Sequence, residues 1–217
     1  SYDSGGWGAD IDVSGSYAYV ADEWNGLTIF DISDSASPEI AGSYYTGGWA
    51  EGIDVSGNYA YVADEWNGLV IFDISDPSSP VITGSYDTGG WVEDVAVSGN
   101  YAYVVDVWNG LMIFNVSDPT SPVLTGSYNT YDYEQKLAVS GNYAYVATGY
   151  SGIYIVDIRD PFSPFLAGYF DTNGYAYDVE VSGNYACVAD YVNGFFIVDV
   201  SNPDSPFLTG AYDTAGY

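Results

Sequence analysis

Residues 51–91 read EGIDVSGNYAYVADEWNGLVIFDISDPSSPVITGSYDTGGW, and this stretch decides the fold. The tripeptide Val-Ser-Gly within it recurs every 42 residues along the 217-residue chain, with no insertion or deletion between copies. Its copies begin at Val13, Val55, Val97, Val139 and Val181. A fixed period of about 40 residues indicates one supersecondary unit repeated in tandem.

Each copy is predicted to fold into four short β-strands. In the quoted copy, residues 56–58 and the pair Asn67-Gly68 mark tight turns that favour hairpins. Pro77 and Pro80 end the third strand, because proline has no N–H group to donate within a central strand. The strands are expected at residues 52–56, 59–64, 69–75 and 81–87.

Four antiparallel strands in a repeat of about 40 residues are typical of a β-propeller blade. One such meander cannot bury both of its faces, so it must pack against its neighbours, and five units are expected to close a ring. The sequence therefore predicts an all-β, five-bladed β-propeller with a 42-residue repeat, occupying residues 1–217 as a single domain. The blades are expected at about residues 8–49, 50–91, 92–133, 134–175 and 176–217.

The ends of the chain carry one more copy of the fourth-strand tail than five blades need. Residues 1–7 match residues 85–91, and residues 211–217 are a further copy of the same stretch. Because residues 206–214 complete the fifth blade, residues 1–7 are interpreted as surplus. They are expected to pair at the ring seam, to fray, to add to the outer strand of another molecule, or to lead into a further repeat.

The third strand of the quoted copy, residues 69–73 (LVIFD), resembles the motif of the LVIVD-repeat β-propellers. Residues 152–157 (GIYIVD) and 194–199 (GFFIVD) are variants of this motif, and the resemblance covers the whole chain. It implies a propeller fold and an exported, often cell-surface setting. It implies no catalytic residues.

The charge of the chain excludes some partners. Thirty acidic residues face two basic ones, Lys136 and Arg159, for a formal net charge of −28. Nucleic-acid binding is excluded because phosphates require Lys and Arg, and anionic membrane surfaces are disfavoured for the same reason. No apolar run is long enough for membrane insertion. Self-repulsion must be offset by salt, bound cations or low pH.

Two single residues bear on the setting of the protein. Asn115 begins an Asn-Val-Ser sequon, a possible glycosylation site that favours an exported protein. Cys187 is the only cysteine, so no internal disulfide is expected, and it takes the place of a tyrosine in the other repeats. We interpret it as a buried, inert thiol.

One end of the blades is predicted to be aromatic and acidic, because the turn between strands two and three and the connection to the next blade share an end of an up-and-down meander. The turns supply Trp24, Trp66, Trp108 and Tyr150, and the connections supply Trp7, Trp49, Trp91, Tyr133 and Tyr175. The carboxylates expected beside them are Asp22, Glu23, Asp64, Glu65, Asp106 and Asp190. We predict this aromatic surface as the face for a ligand or partner.

Three interpretations of this surface remain open. The tryptophans pack between blades or over loops, or they stack on sugars beside carboxylate acceptors, or the axial acids hold a hard cation. Such a cation, Ca²⁺ or another, would prefer oxygen ligands. The axial candidates are Asp10, Glu51, Glu93, Asp94 and Asp178.

Other acids are predicted to be structural because they recur at turns. One set starts the turn after strand three, and another ends strand three itself. The first set is Asp34, Asp76, Asp118 and Asp160, and the second is Asp31, Asp73, Asp157 and Asp199.

The sequence gives little support for an enzyme. It contains no histidine and neither a nucleophile elbow nor a phosphate-binding loop. A glycosidase would need two carboxyl groups in different environments, and near-identical blades are expected to offer near-identical environments. No catalytic residues and no required cofactor are therefore predicted.

The favoured hypothesis is a non-enzymatic, extracellular or cell-surface propeller that acts as a structural, self-associating module, with a fibre or surface-layer subunit as its specific form. Its partners would be further copies, other surface proteins or glycans. The alternative is a lectin-like carbohydrate-binding propeller using the aromatic surface. The third hypothesis is a glycosidase acting through axial carboxylates.

Overall fold

The computed structural model describes residues 5–133 and 135–214. Within these residues the secondary structure consists of strands and turns, and the strands form five four-stranded antiparallel sheets, each a simple meander. The four-stranded repeats predicted from the sequence are thus confirmed. Residues 1–4 of the surplus tail, residue 134 and residues 215–217 lie outside the described residues.

The strands follow one another in chain order. The first sheet contains β1 (Asp10–Ser14), β2 (Tyr17–Ala21), β3 (Leu27–Asp31) and β4 (Glu39–Tyr44), and the second β5 (Ala50–Ser56), β6 (Tyr59–Asp64), β7 (Gly68–Asp73) and β8 (Val81–Tyr86). The third contains β9 (Val92–Ser98), β10 (Tyr101–Asp106), β11 (Gly110–Asn115) and β12 (Val123–Tyr128). The fourth contains β13 (Leu137–Ser140), β14 (Tyr143–Ala147), β15 (Ile153–Asp157) and β16 (Phe165–Phe170). The fifth contains β17 (Ala176–Ser182), β18 (Tyr185–Asp190), β19 (Gly194–Asp199) and β20 (Phe207–Tyr212).

The third strand is shorter than its sequence suggests. In the second repeat it ends at Asp73 and not at Ser75 as predicted. The Asp73 carboxylate accepts a hydrogen bond from the Ser75 N–H (2.9 Å), which turns the chain away from the ladder. That bond, with one from the Ser75 hydroxyl as the larger cause, holds the pKa of Asp73 below its usual range.

The turn aspartates behave as the repeat predicts. Asp76 accepts hydrogen bonds from the Ser78 N–H (3.0 Å) and the Ser78 hydroxyl (2.7 Å), and so forms an Asx turn. The same side-chain to backbone bond recurs at Asp34, Asp118, Asp160, Asp31, Asp157 and Asp199. Their structural role is confirmed.

The chain divides into two compact units. The first is built from residues up to 104 together with Phe114–Val123, and the second from Val105–Ile113 together with residues from 124 onwards. The core of the first unit includes the fully buried Leu27 and Phe72, and that of the second includes Ile153 and Val188. In both, β-branched and aromatic residues of the second and third strands fill the space between sheets.

Within each unit, a glycine of the fourth strand lies in close contact with the proline turn of the following repeat. A Cβ atom built on Gly84 would overlap the carbonyl oxygen of Pro119 and lie 3.2 Å from the Pro122 ring. The equivalent pairs are Gly42 with Pro77, Gly126 with Pro161 and Gly168 with Pro203. This close backbone approach explains why the fourth strand, otherwise rich in β-formers, carries a glycine.

In the first unit, carboxylates join the innermost strands of neighbouring repeats. Asp10 of β1 accepts the N–H of its own neighbour Ile11 (2.8 Å) and, through its second oxygen, the N–H of Ile53 in the next repeat (2.9 Å). Without these acceptors, the outward N–H groups of the edge strand would be unpaired. The same bonding joins Val55 to Asp12 (2.8 Å) and Val97 to Asp54 (2.6 Å).

Candidate functional site: an aromatic surface on buried aspartates

A buried aspartate organises each tryptophan turn. In the second unit, Asp106 Oδ1 accepts the backbone N–H groups of Trp108 and Asn109, both at 2.9 Å. These bonds close a tight turn that directs the Trp108 side chain outward, where it is 59% exposed. Asp22, Asp64, Asp106 and Asp190 are all at most 4% exposed. The prediction that these four make the surface acidic is therefore wrong, because their carboxylates are buried inside the turns.

The aspartate in turn requires a glycine opposite it. A Cβ atom on Gly48 would overlap Asp64 Oδ1, and one on Gly174 would overlap the Asp190 carboxylate. This contact accounts for the second glycine of the Thr-Gly-Gly-Trp connection.

The fourth repeat exchanges the members of this pair. Asp132 stands in the place of the glycine, and the fully buried Thr148 stands in the place of the aspartate. Thr130, whose counterpart Thr172 donates its hydroxyl to Asp190 Oδ2 (2.6 Å), has a buried hydroxyl without a hydrogen-bond partner. We expect the two changes to compensate each other, since the shorter threonine leaves more room for a side chain at position 132.

In the first unit the tryptophans contact one another and still remain open to solvent. Trp24 lies between Trp7 and Trp49, with ring centroids 6.1 and 6.3 Å away, and Trp66 stacks on Trp91 at 5.0 Å. Their exposed fractions are 70% for Trp7, 56% for Trp66, 46% for Trp49 and 40% for Trp24. Packing therefore accounts for their mutual contacts but leaves a large aromatic area facing water, as at binding surfaces.

The second unit carries aromatic residues at the corresponding positions. Tyr133 is 59% and Tyr150 is 72% exposed, and Tyr150 meets Tyr175 edge to face at 4.9 Å. Two further tyrosines, Tyr131 at 93% and Tyr191 at 70% exposure, belong to the same turns and connections. Neither was predicted from the sequence, although each replaces a smaller or acidic residue of the repeat.

Identical loop sequences adopt two conformations in the first unit. The hexapeptide Ala-Asp-Glu-Trp-Asn-Gly occurs at residues 21–26 and 63–68. Glu23 has a φ of 33° and exchanges backbone hydrogen bonds with Ala50 (3.0 and 3.1 Å), whereas the Glu65 N–H bonds to Trp49 O (2.9 Å). Glu23 is half-buried and Glu65 is 4% exposed. The premise that near-identical blades give near-identical carboxylate environments is thus wrong.

The buried carboxyl group of Glu65 is protonated more easily than a free glutamate. The pKa of Glu65 is raised to about 7, chiefly by burial, and the charges of Glu51, Asp64 and Glu23 contribute to this rise. The Trp91 Nε1–H lies near the Glu65 carboxylate and offsets part of this rise in pKa. Its geometry is not that of a hydrogen bond, and the buried Nε1 has no other partner. Near neutral pH, this part of the surface therefore carries less negative charge than its composition suggests.

The structure gives no support to an axial cation site. Among residues 5–133 and 135–214, no group of three or more carboxylates or thiols is arranged to hold a metal ion. Asp10 bonds to backbone amides, Asp178 accepts the N–H of Val179 (2.8 Å), and Asp94 packs buried against Gly52. The candidates Glu51 and Glu93 are half-buried.

Asn115 and Cys187, the two residues that bear on the setting of the protein, both lie on or beside strands. The Asn115 side-chain oxygen accepts the Ser117 N–H (2.9 Å) and hydroxyl (2.7 Å) at the end of β11. Cys187 is a free thiol and is half-buried, not buried as predicted. No helix that could cross a membrane occurs in the part of the chain that the structure describes.

Comparison with known sequences finds the same repeat in every blade. A family model described as the LVIVD repeat matches residues 5–46, 47–88, 89–130, 133–172 and 173–214. No curated protein matches the chain.

Solved structures share the fold. The computationally designed Ika8 protein has a TM-score of 0.76 at 9% identity over 96% of this chain, which spans only 62% of the designed one. The β-propeller domain of Cps50 (Swd1) from Myceliophteria thermophila has a TM-score of 0.75 at 11% identity, covering 97% of this chain and 72% of that domain. A functionally unknown protein from Desulfotomaculum acetoxidans has a TM-score of 0.76 at 13% identity, covering 95% and 70%. These likenesses show the fold.

Proposed function

The chain belongs to the LVIVD repeat family and has the fold class of a five-bladed β-propeller, and from this premise we propose that it is a non-enzymatic interaction module of the cell exterior that assembles with further copies of itself. The contact that we propose joins the first repeat of one copy to the fifth repeat of another. A fibre or surface-layer subunit is the form that such a chain of contacts would take.

The proposal depends on the exposure of the first repeat. Ile11 of β1 is 59% exposed, whereas its counterparts Ile53 and Val95 in the same unit are each 4% exposed. Val13, on the same strand, is 55% exposed. Since the first repeat has the same apolar pattern as its successors, the first unit leaves uncovered on it a surface that its successors bury against the repeat before them in that unit.

The fifth repeat presents the opposite surface. Phe195 of β19 is 37% exposed, while its counterpart Ile153 in the same unit is fully buried. Ala189 is exposed and Cys187 is half-buried at positions where the fourth repeat buries its side chains. A Cβ atom on Gly210 would meet only Ile197, at 3.9 Å, although the equivalent Gly168 faces a proline carbonyl of the following repeat. Within the second unit this surface therefore lacks the contact that the fourth repeat makes with the fifth.

A second copy of the chain supplies a partner of the right chemistry for both surfaces. The first repeat of a second copy offers the β1 strand and the turn at residues 34–38, in which Ser35 stands at the position of Pro77. A contact between two unlike surfaces is heterologous and propagates unless its rotation closes. The net charge of −28 opposes the contact, so salt or bound cations should promote it.

An extracellular setting is part of the proposal. The sequon at Asn115 supports it. The exported, often cell-surface setting that the LVIVD-repeat family implies supports it as well. The absence of histidine from the sequence supports a non-enzymatic role, since general acid–base chemistry near neutral pH most often uses that side chain.

Sedimentation velocity tests the proposal. We expect the wild type to form larger species as protein concentration and salt rise. We expect Ile11→Asp and Phe195→Asp each to weaken the association by about tenfold or more, because each variant places a carboxylate in the buried contact. Phe162→Asp is the matched control, since Phe162 is 73% exposed on a proline turn outside the proposed contact. Monomers at every concentration and salt level would contradict the proposal.

Carbohydrate binding is the second candidate, and a cavity beside Trp66 favours it. The cavity has a volume of about 320 Å³ and combines the exposed indole with hydroxyl, amide and carboxylate groups that suit sugar hydroxyls. Its lining is Thr46, Trp66, Asn67, Val70, Ile82, Ser85 and Asp87. Glycan binding that is lost in Trp66→Ala and retained in Ile11→Asp would favour this candidate.

A further inference from the structure

The connection into the fourth repeat differs from the others in a way that the fold does not require. Two earlier connections read Thr-Gly-Gly-Trp, at residues 46–49 and 88–91. At residues 130–133 the chain reads Thr-Tyr-Asp-Tyr, so an aromatic ring and a carboxylate replace the two glycines.

Tyr131 occupies a backbone conformation that suits glycine. Its φ is 58°, in the left-handed region, where its counterparts Gly47 and Gly89 have φ values of 83° and 70°. The Asn129 side chain holds it there by accepting the Tyr131 N–H (2.7 Å) and donating to the Trp108 carbonyl (3.4 Å). The ring is 93% exposed, so little burial offsets the strain. A strained, exposed aromatic residue points to function and not to packing.

The rings around Tyr131 line a cavity of the second unit. Its volume is about 330 Å³, and its lining is Val107, Trp108, Asn129, Tyr131, Asp132 and Tyr133. Trp108 and Tyr133 are each 59% exposed. Three aromatic side chains and one carboxylate thus converge on one space, and no lysine or arginine lines it.

This combination suits an organic cation. The negative faces of aromatic rings attract a cation that is too weakly hydrated to prefer water, and quaternary ammonium groups are the ligands of such aromatic cages. The Asp132 carboxylate adds an opposite charge, and the net charge of −28 raises the local concentration of cations. An anion would be repelled by both.

We propose that the cavity lined by Trp108, Tyr131, Asp132 and Tyr133 binds a small organic cation that carries a quaternary ammonium group. The site is independent of the self-contact proposed above, because none of its lining residues lies in β1 or in the fifth repeat. Either proposal can therefore fail while the other stands.

Choline and its uncharged carbon isostere, 3,3-dimethylbutan-1-ol, test the proposal. We expect choline to change the tryptophan fluorescence of the full chain in a saturable way, and the isostere to bind at least about tenfold more weakly, since it has the same shape without the charge. Tyr131→Gly restores the residue that the repeat uses at a positive φ, so it should melt no lower than the wild type while losing at least about tenfold in choline affinity. Asp132→Asn should weaken binding in the same direction.

Phe162→Ala is the matched control, because it removes an aromatic side chain that is 73% exposed in the same unit but does not line the cavity, and it should leave choline binding unchanged. Equal binding of choline and the isostere, no choline binding up to about 100 mM, or full choline affinity in Tyr131→Gly would each overturn the proposal. Binding of neutral sugars in place of choline, lost in Tyr131→Gly, would also overturn it.

Discussion

Gly84→Ala is expected to lower the free energy of unfolding by about 3 kcal/mol. The added Cβ would overlap the carbonyl oxygen of Pro119, a backbone atom that cannot rotate away, and would press on the Pro122 ring. Relief requires the two repeats to separate, which exposes apolar surface along their whole contact. Urea unfolding followed by fluorescence or circular dichroism measures the effect.

Gly210→Ala is the internal control for this prediction. It makes the same change at the same position of the fifth repeat, where the nearest atom to the new Cβ is Ile197 Cδ1 at 3.9 Å. We expect its stability to stay within about 0.5 kcal/mol of the wild type, with any gain arising from a less flexible unfolded chain. If both variants lose equal stability, the proline turn of the next repeat is not what requires the glycine.

The second large effect concerns Gly174 and Asp190, which face each other at the turn after β18. Asp190→Thr should cost about 2–4 kcal/mol, because it removes the acceptor for the Thr172 hydroxyl and the Asn193 N–H. Gly174→Asp should cost a similar amount, because its side chain would overlap the Asp190 carboxylate. The double variant reproduces the arrangement that the fourth repeat has at Asp132 and Thr148.

We therefore expect the double variant to be more stable than the sum of the two single effects by about 2 kcal/mol, a coupling that a double-mutant cycle measures. Thermal unfolding of the four proteins at one pH supplies the data. Strictly additive losses would show that the two positions do not compensate each other, and that the exchange in the fourth repeat has another cause.

Most of the fold was predictable because the repeat supplies four or five copies of each signal. A turn such as Asn67-Gly68 is ambiguous once, but at a constant spacing it fixes the strand boundaries. The predicted end of the third strand was two residues too late, because Ser75 follows the apolar Ile74 and continues the strand pattern of the sequence. Only the hydrogen bond from its N–H to Asp73 shows that the chain has already turned.

The candidate site was predicted only in part. The exposed tryptophans follow from their place in turns, but burial of the neighbouring aspartates does not, because an aspartate beside a turn is compatible with either environment. Glu23 and Glu65 could not have been distinguished at all, since they occupy identical hexapeptides and differ through their contacts with the next repeat. Tyr131 could have been found, because an aromatic residue in a glycine position of a strict repeat is itself a signal.

The acids of the innermost strands show the same limit. Sequence spacing placed Asp10 near an axis and suggested a cation, whereas its two oxygens accept amides of two successive repeats. A carboxylate that accepts hydrogen bonds from two backbone N–H groups pairs the donors of an edge strand, and it does not need a metal to be satisfied. Some of the extreme negative charge therefore has a structural explanation.

Amide hydrogen exchange at Ile11 and Ile53 tests most directly the claim that the first repeat covers the second and offers its own β1 strand to another copy. In dilute protein we predict that the Ile53 amide, bonded to Asp10 of the preceding repeat, exchanges about 100-fold more slowly than the Ile11 amide. At concentrations at which the protein assembles, exchange of the Ile11 amide should slow toward the rate of the Ile53 amide. Equal protection of both amides in dilute monomers would contradict the account.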